Sequence, residues 1–376
     1  MYLDNAATTS VRREVLDAMA PFLTTEFGNP SSAHELGRAA RDALERARGS
    51  VAARLGMRRG DVVFTSGGTE ANNLAVKGIA LAALADRGAK HLVTTPIEHS
   101  SVLASVRFLE RVHGFSVSLL PVDAHGSVRP EDLSRALRDD TALASVQLAN
   151  NEIGTVQDTR ALADVCRARR VPLHVDAVQA AGWLPLDDLG ADAVSISGHK
   201  IGAPTGMGAL AVRGRIPLEP LLHGGGQERG RRSGTESVAG AVAVATALAL
   251  AERAREADVA RVSRLRDAFV ADVLRLVPGA RVTGHPRSRL PHIASFVVPG
   301  VNGEALLVEL ERAGVVASSG SACAAGRTDP SHVLLATHED ADTARTALRF
   351  SLAHDHDADL AGVASVLAEA VDRVGM

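Results

Sequence analysis

Between about residues 60 and 215, short apolar and β-branched runs alternate with helical patterns, and no other feature restricts the fold as much. "DVVFTS" (61–66) leads to a helical pattern from Thr69 through "ANNLAVKGIALAALAD", and "KHLVTT" (90–95) leads to another near 100–113. "FSVSLLP" precedes "RPEDLSRALRD", and "ALASVQL", after a loop, precedes "TRALADVCRARR". "PLHVDA", "DAVSIS" and "GALAVR" then follow closely. Repeated strand–helix alternation predicts an α/β fold with a mainly parallel sheet covered by helices on both faces. Past about residue 255 the pattern changes to helices, two or three strands and loops, which predicts a smaller α+β domain. A chain of 376 residues has room for both. Upstream, Ser32 followed by Glu35 predicts a capping box ahead of "LGRAARDALERARGSVAARLG".

Composition narrows the function classes. A net charge of −3, with arginines and acids interspersed, gives no electrostatic reason to expect nucleic acid as the main ligand. Aromatic residues make up 3% of the chain, so base-stacking platforms are not expected either. "MYLDNAATTS" lacks the basic-then-apolar layout of a signal peptide, and the longest apolar run, "AGAVAVATALALA" (239–251), is too short to cross a bilayer. These features predict a soluble, cytoplasmic protein in which the two cysteines, Cys166 and Cys323, form no disulfide.

Three stretches carry chemistry. In "TSGGTEANN" (65–73) a strand runs through two glycines into a helix start, a setting in which backbone N–H groups receive an anion. Alone, it reads equally well as a tight turn without a ligand. In "HVDAVQ" (174–179), Asp176 falls at the end of an apolar strand, where open α/β sheets bind ligands; a helix cap or ion pair is the competing reading. "SISGHK" (195–200) ends on Lys200, one of three lysines in the chain against 38 arginines. Lysine is the side chain that forms a Schiff base. A phosphate cradle, a strand-end aspartate and such a lysine, in that order, are what pyridoxal phosphate requires.

The ordered motifs "YLDNAATT", "FGNPSSAHELGR", "VFTSGGTEANNLA", "EHSSVL", "NNEIGTVQD", "HVDAVQ", "SGHKIGAPTGMGAL", "HGGGQERGRRSGTE", "SSGSAC" and "LRFSL" run nearly end to end. With them the chain resembles a cysteine desulfurase of the NifS/IscS type, in the class V aminotransferase family. The resemblance implies the fold type I architecture of pyridoxal-phosphate-dependent transferases. A large domain of 15–255, with a mainly parallel seven-stranded sheet between helices, would be joined to a small domain of 1–14 and 256–376. It implies Lys200 as the lysine that holds the cofactor, Asp176 against the pyridine nitrogen, Gln179 on the ring hydroxyl, and His99 stacked on the ring and moving protons. Gly68, Thr69, Ser197 and His199 would hold the phosphate, and Thr235 would reach the cofactor phosphate of the neighbouring subunit in a homodimer. Asn151, also placed beside the cofactor, and Arg349 would bind the substrate carboxylate, a task that suits a planar guanidinium.

The same resemblance gives a task to Cys323, which lies among the small and polar residues of "SSGSACAAGRTDPS" (318–331), a composition that predicts an exposed loop. There it would take sulfur from L-cysteine as a persulfide, leave L-alanine, and pass the sulfur to an acceptor such as an iron–sulfur scaffold protein or a thiolation enzyme. No metal centre is expected beyond a transient iron–sulfur cluster on Cys323. "CAAGRTDPSHVL" has the longer form of the branch that delivers to scaffolds, without the "R-x-G-H-x-C" pattern of the other branch, while "HVLLATHED" replaces the more usual "RALG" type of segment. Cys166, on an apolar helical stripe, is expected in the core, and "HDHD" (354–357) is expected as a solvated turn. Competing readings are a selenocysteine lyase, a cysteine sulfinate desulfinase or an aminotransferase of the same family, and a sulfur carrier that has lost catalysis.

Overall fold

The computed structural model describes residues 1–319 and 330–375. Seven strands form the main sheet: β1 (Val62–Thr65), β2 (His91–Thr94), β3 (Ser116–Leu119), β4 (Thr141–Gln147), β5 (Leu173–Asp176), β6 (Ala193–Ser197) and β7 (Gly208–Val212). Their order is β1-β7-β6-β5-β4-β2-β3, and the pairs from β6 through β3 are parallel, whereas β7 pairs antiparallel with both β6 and β1. Every residue of β4, β5 and β6 is buried, because helices cover both faces of a parallel sheet. All seven expected strands are present. Cys166 lies buried on the helix Thr159–Arg169, where burial pushes its thiol up to about 12, the environment of an inert core residue.

A second sheet, in the order β10-β9-β8, is built from β8 (Arg281–Val282), β9 (Ile293–Val297) and β10 (Ala347–Ser351), all antiparallel. The 39-residue helix Val238–Leu276 serves both sheets. Its first part, alanine-rich, is buried almost all round from Val238 to Ala251, while its second part buries one stripe of Asp258, Val262, Arg266, Phe269 and Val273. Phe269 meets Phe296 of β9 and Phe350 of β10 edge-on, with centroids 5.9 and 5.0 Å away. Residue 255, near which the domain boundary is expected, lies inside this one continuous helix. The N-terminal segment joins the small sheet region through bridges of Tyr2 to Val316 and Asp4 to Ser351. No described helix is long and apolar enough to cross a membrane.

Two expectations are corrected. The helix after "FGNPSS" starts at Glu35, and its N-cap is His34, whose Nδ1 accepts from the Gly37 N–H at 3.2 Å. Ser32 is instead held in a turn by donating its N–H to Asn29 O, so no Ser32–Glu35 capping box forms. His354 is buried rather than solvated. It stacks on Trp183 at 3.7 Å, with His292 on the other face of the indole at 4.3 Å. Its Nδ1 also lies 3.5 Å from Asp258 Oδ2 on the long helix, and the described residues contain no group that could hold a metal ion.

Two polar groups inside the core have energetic consequences. Arg48 is buried against Glu228, to which it donates from both terminal nitrogens, and Glu228 also accepts from the Phe64 N–H. Arg48→Met leaves the Glu228 carboxylate buried without its partner and should lower stability by about 3–5 kcal/mol. Adding Glu228→Gln, which removes the stranded charge and keeps an acceptor for Phe64, should recover part of the loss. Urea denaturation at fixed protein concentration measures both, and an unaltered midpoint for Arg48→Met would exclude this pair as a structural tie.

Glu98, fully buried behind β2 and β4, accepts from Thr95 Oγ1 at 2.7 Å and from the Gln147 N–H at 3.1 Å. Burial pushes its carboxyl up to about 8. Between about pH 4.5 and 8 the folded chain keeps this proton while the unfolded chain releases it, so stability falls across that window by up to about 1.4 kcal/mol per unit. Glu98→Gln removes the slope: relative to wild type it should gain stability through the window and level off above it. Thermal midpoints of the two proteins against pH check this, and curves that run parallel throughout would contradict a neutral buried carboxyl.

Candidate active site

The C-terminal ends of β2, β4, β5 and β6, where parallel sheets bind ligands, open into a cleft of about 480 Å³. Ten of the expected site residues line it: Gly68, Thr69, His99, Asn151, Asp176, Gln179, Ser197, His199, Lys200 and Arg349. Thr235 does not; it is exposed on the glycine-rich segment before the long helix. Cys323 lies outside the described residues.

One end of the cleft is a helix start. Gly67 adopts φ 151° and ψ −178°, a region open essentially to glycine alone, and turns the chain from β1 into the helix Gly68–Asn73. A Cβ on Gly68 would lie 2.7 Å from Val178 Cγ2, so only glycine lets this helix approach the ends of β5 and β6 so closely. Glu70, in the first turn, accepts from the Ser66 N–H at 2.7 Å and from Arg232 Nε at 2.8 Å. Burial pushes the Glu70 carboxyl up, but these partners outweigh it and hold the group below its ordinary value. Glu70 is thereby held as a carboxylate paired with the Arg232 guanidinium. His199, pushed down to about 4 by burial and the charge of Lys200, shares a hydrogen bond with Thr8 Oγ1 at 3.1 Å and is neutral at physiological pH.

Asp176 ends β5 and is buried. Its Oδ1 accepts from the Val178 N–H at 3.0 Å and its Oδ2 from Asn72 Nδ2 at 2.6 Å. Burial raises its carboxyl, against the lowering influence of His99, these two donors and Lys200. His99 is the N-cap of the helix Ser100–His113 and is tied through Ser101 to Asn72. Lys200 sits in the short turn after β6, and its Nζ donates to the carbonyl oxygens of Ala6 at 2.5 Å and Ala7 at 2.7 Å. Gln179 Nε2 donates to the same Ala6 oxygen at 2.8 Å.

Arg349, on β10, brings the small sheet to the cleft. It donates from Nη1 to the Asn151 carbonyl at 2.8 Å and from Nη2 to Asp4 Oδ1 at 2.6 Å. Its backbone exchanges two hydrogen bonds with Ser318, just before the cysteine-bearing segment. On the far side of that segment Ser331 donates to Glu152, a buried acid beside Asn151, and His332 Nε2 meets the Glu98 carbonyl at 3.0 Å.

Sequence reasoning missed Asn72, Ser101, Asp4, the carbonyls of Ala6 and Ala7, and the pair Glu70–Arg232. All lie within the motif stretches, so their neighbourhood was legible. Their partners, 29 to 345 residues away in the chain, were not.

The Aminotransferase class-V family model matches residues 1–360. An IscS-like cysteine desulfurase of Mycobacterium tuberculosis is 46% identical over 379 residues, covering 99% of this chain and 96% of that one. Cysteine desulfurase IscS of Dictyoglomus turgidum is 44% identical over 354 residues, covering 94% of this chain and 89% of its own. A solved NifS-like protein superimposes with a TM-score of 0.90 at 35% identity, covering 99% of this chain and 98% of the other. With the fold, the cleft and these relatives in agreement along nearly the whole chain, the protein belongs to the class V aminotransferase family, among its IscS-like cysteine desulfurases.

Proposed function

We propose that this cleft binds pyridoxal phosphate and takes sulfur from L-cysteine, leaving L-alanine and a persulfide on Cys323. One convergence carries the reading: Lys200, Asp176, His99 and Arg349, from four distant segments, line a single cleft. The residues fit the cofactor. A buried carboxylate suits a protonated ring nitrogen, the glycine-gated helix start suits a phosphate, and Asn72 Oδ1, buried without a partner among the described residues, leaves an acceptor at the same wall. Gly68, Thr69, Ser197 and His199 would hold the phosphate, Asp176 the ring nitrogen, Gln179 the ring hydroxyl and Lys200 the aldehyde carbon, with Asn151 beside the cofactor. When bound, pyridoxal phosphate supplies the sink for electrons released at the substrate Cα.

Arg349, already turned toward the cleft by Asp4 and the Asn151 carbonyl, binds the substrate carboxylate together with Asn151. His99 covers the ring face and handles a proton through the nitrogen not engaged by its own helix. Sulfur transfer needs no outside oxidant. Cys323 as thiolate attacks the substrate sulfur, an S–S bond forms as the Cβ–S bond breaks, and Cβ departs with the electron pair and then takes a proton. The carbon is reduced as the sulfur pair is oxidised. The persulfide then passes to an acceptor protein, an iron–sulfur scaffold or a thiolation enzyme. Thr235, exposed and away from its own cleft, suits a homodimer in which it reaches the partner subunit's cofactor phosphate.

Cys323→Ser should bind the cofactor and respond spectrally to cysteine, yet form almost no alanine and no protein persulfide, because an unionised hydroxyl does not replace a thiolate toward sulfur. Cys166→Ser should keep turnover. Alkylative trapping followed by peptide mass spectrometry checks both, and persulfide confined to Cys166, or full activity without Cys323, would overturn the reading. Arg349→Ala should raise KM for cysteine about 10- to 100-fold, from loss of a charged hydrogen bond of about 1.5–3 kcal/mol. A fall in melting temperature with KM unchanged would instead make Arg349 a structural tie to Asp4.

A further inference from the structure

The pair Asn72–Ser101 bears on how His99 can act. His99 Nδ1 lies 3.2 Å from the backbone nitrogen of Ser101 and 2.7 Å from Ser101 Oγ. A peptide N–H can only donate, and the N-cap of a helix must supply an acceptor, so Nδ1 offers its lone pair to the first turn of Ser100–His113. The Ser101 hydroxyl could turn either way, and Asn72 decides its direction. Asn72 Nδ2 donates to Asp176 Oδ2 at 2.6 Å, so the amide turns its NH₂ group toward that carboxyl. Its second proton then reaches Ser101 Oγ at 3.0 Å. With that oxygen accepting from Asn72, the Ser101 proton is left to donate, and His99 Nδ1 is its partner.

We infer that the Asn72–Ser101 relay holds His99 as the neutral Nε2–H tautomer, so that the ring meets the substrate as a hydrogen-bond donor at Nε2 and not as a base. A ring with one nitrogen committed to accepting carries its proton on the other. Asn72 and Ser101 are thus positioning residues. One amide, donating in two directions, ties the carboxylate proposed to meet the ring nitrogen to the tautomer of the histidine proposed to cover the ring. The lone pair for proton abstraction at the substrate then belongs to another group of the cleft. This deepens the desulfurase reading and rests on it for the place of His99 beside the substrate. The tautomer itself is a property of the protein alone.

The test is side-chain ¹⁵N NMR of protein labelled at histidine, cofactor-free and loaded, at about pH 8, above the ordinary range of histidine titration. His99 is assigned by difference with His99→Gln. The wild type should show a pyridine-like Nδ1 and a pyrrole-like, protonated Nε2. Ser101→Ala removes the shorter of the two donors and should raise the minor tautomer about two- to tenfold, as expected for one neutral hydrogen bond. Ser101→Thr, which keeps the hydroxyl, should restore the wild-type pattern, and Asn72→Ala should behave like Ser101→Ala. A protonated Nδ1 in the wild type would overturn the inference. So would a Ser101→Ala spectrum identical to wild type, a result available even if Asn72→Ala fails to fold. Alanine formation by the wild-type sample, measured separately, reports on the desulfurase reading and does not enter the tautomer assignment.

Discussion

A carboxylate buried at the end of a strand is costly, and much of this site is the arrangement that makes Asp176 tolerable. Each of its oxygens takes one donor, the Val178 N–H from its own turn and the Asn72 amide from the helix after β1. Satisfying the second donor brings that helix against β5, which only the glycine at position 68 permits, since any Cβ there would strike Val178. The same amide reaches Ser101 and through it His99. The helix start at Gly68, the Asp176 carboxyl and His99 therefore form one hydrogen-bonded unit, spread over three elements at the C-terminal edge of the sheet.

The N-terminal segment supplies the opposite wall. Ala6 and Ala7 present carbonyls to Lys200 and Gln179, while Asp4, two residues earlier, pairs with Arg349 on the small sheet. Backbone bridges to Val316 and Ser351 hold this strip in place. A short stretch of chain thus couples the lysine of the large sheet to the arginine of the small one. The segment that carries Cys323 starts and ends on the same frame, at Ser318 against Arg349 and at Ser331 against Glu152.

Legibility from sequence followed the range of the interaction. Strands of "VVFT" or "LHVD" type declare themselves because burial on both faces demands continuous apolar runs. Lys200 stands out because lysine is so rare here, and the cradle because two glycines lie between a strand and a helix. Local hydrogen bonding already misled: the choice between Ser32 and His34 as cap depends on how "NPSS" turns, and a histidine cap has no common sequence signal. His354 misled further. Its neighbours Asp355 and Asp357 are exposed, and its burial comes from the indole of Trp183, 171 residues away, and from Asp258 on the long helix. Asn72 sat in plain view inside "TEANN", with nothing to mark it apart from Asn73, which merely bonds back to Thr69.

From the sequence alone came the class of fold, the order of the elements, the residue types at the cleft and the chemistry they suit. Those depend on periodicity, composition and short motifs, which are properties of neighbouring residues. The tertiary structure decided which of them act together. It alone brought Asp4 to Arg349, Asn72 to Asp176, and Ala6 to Lys200. Hydrogen bonds of this kind join residues remote in the chain, and a carboxylate's partner is chosen by which donor the packed sheet and helices carry to within 3 Å of it. No local pattern encodes that choice, because the backbone that delivers the donor is positioned by burial elsewhere in the core.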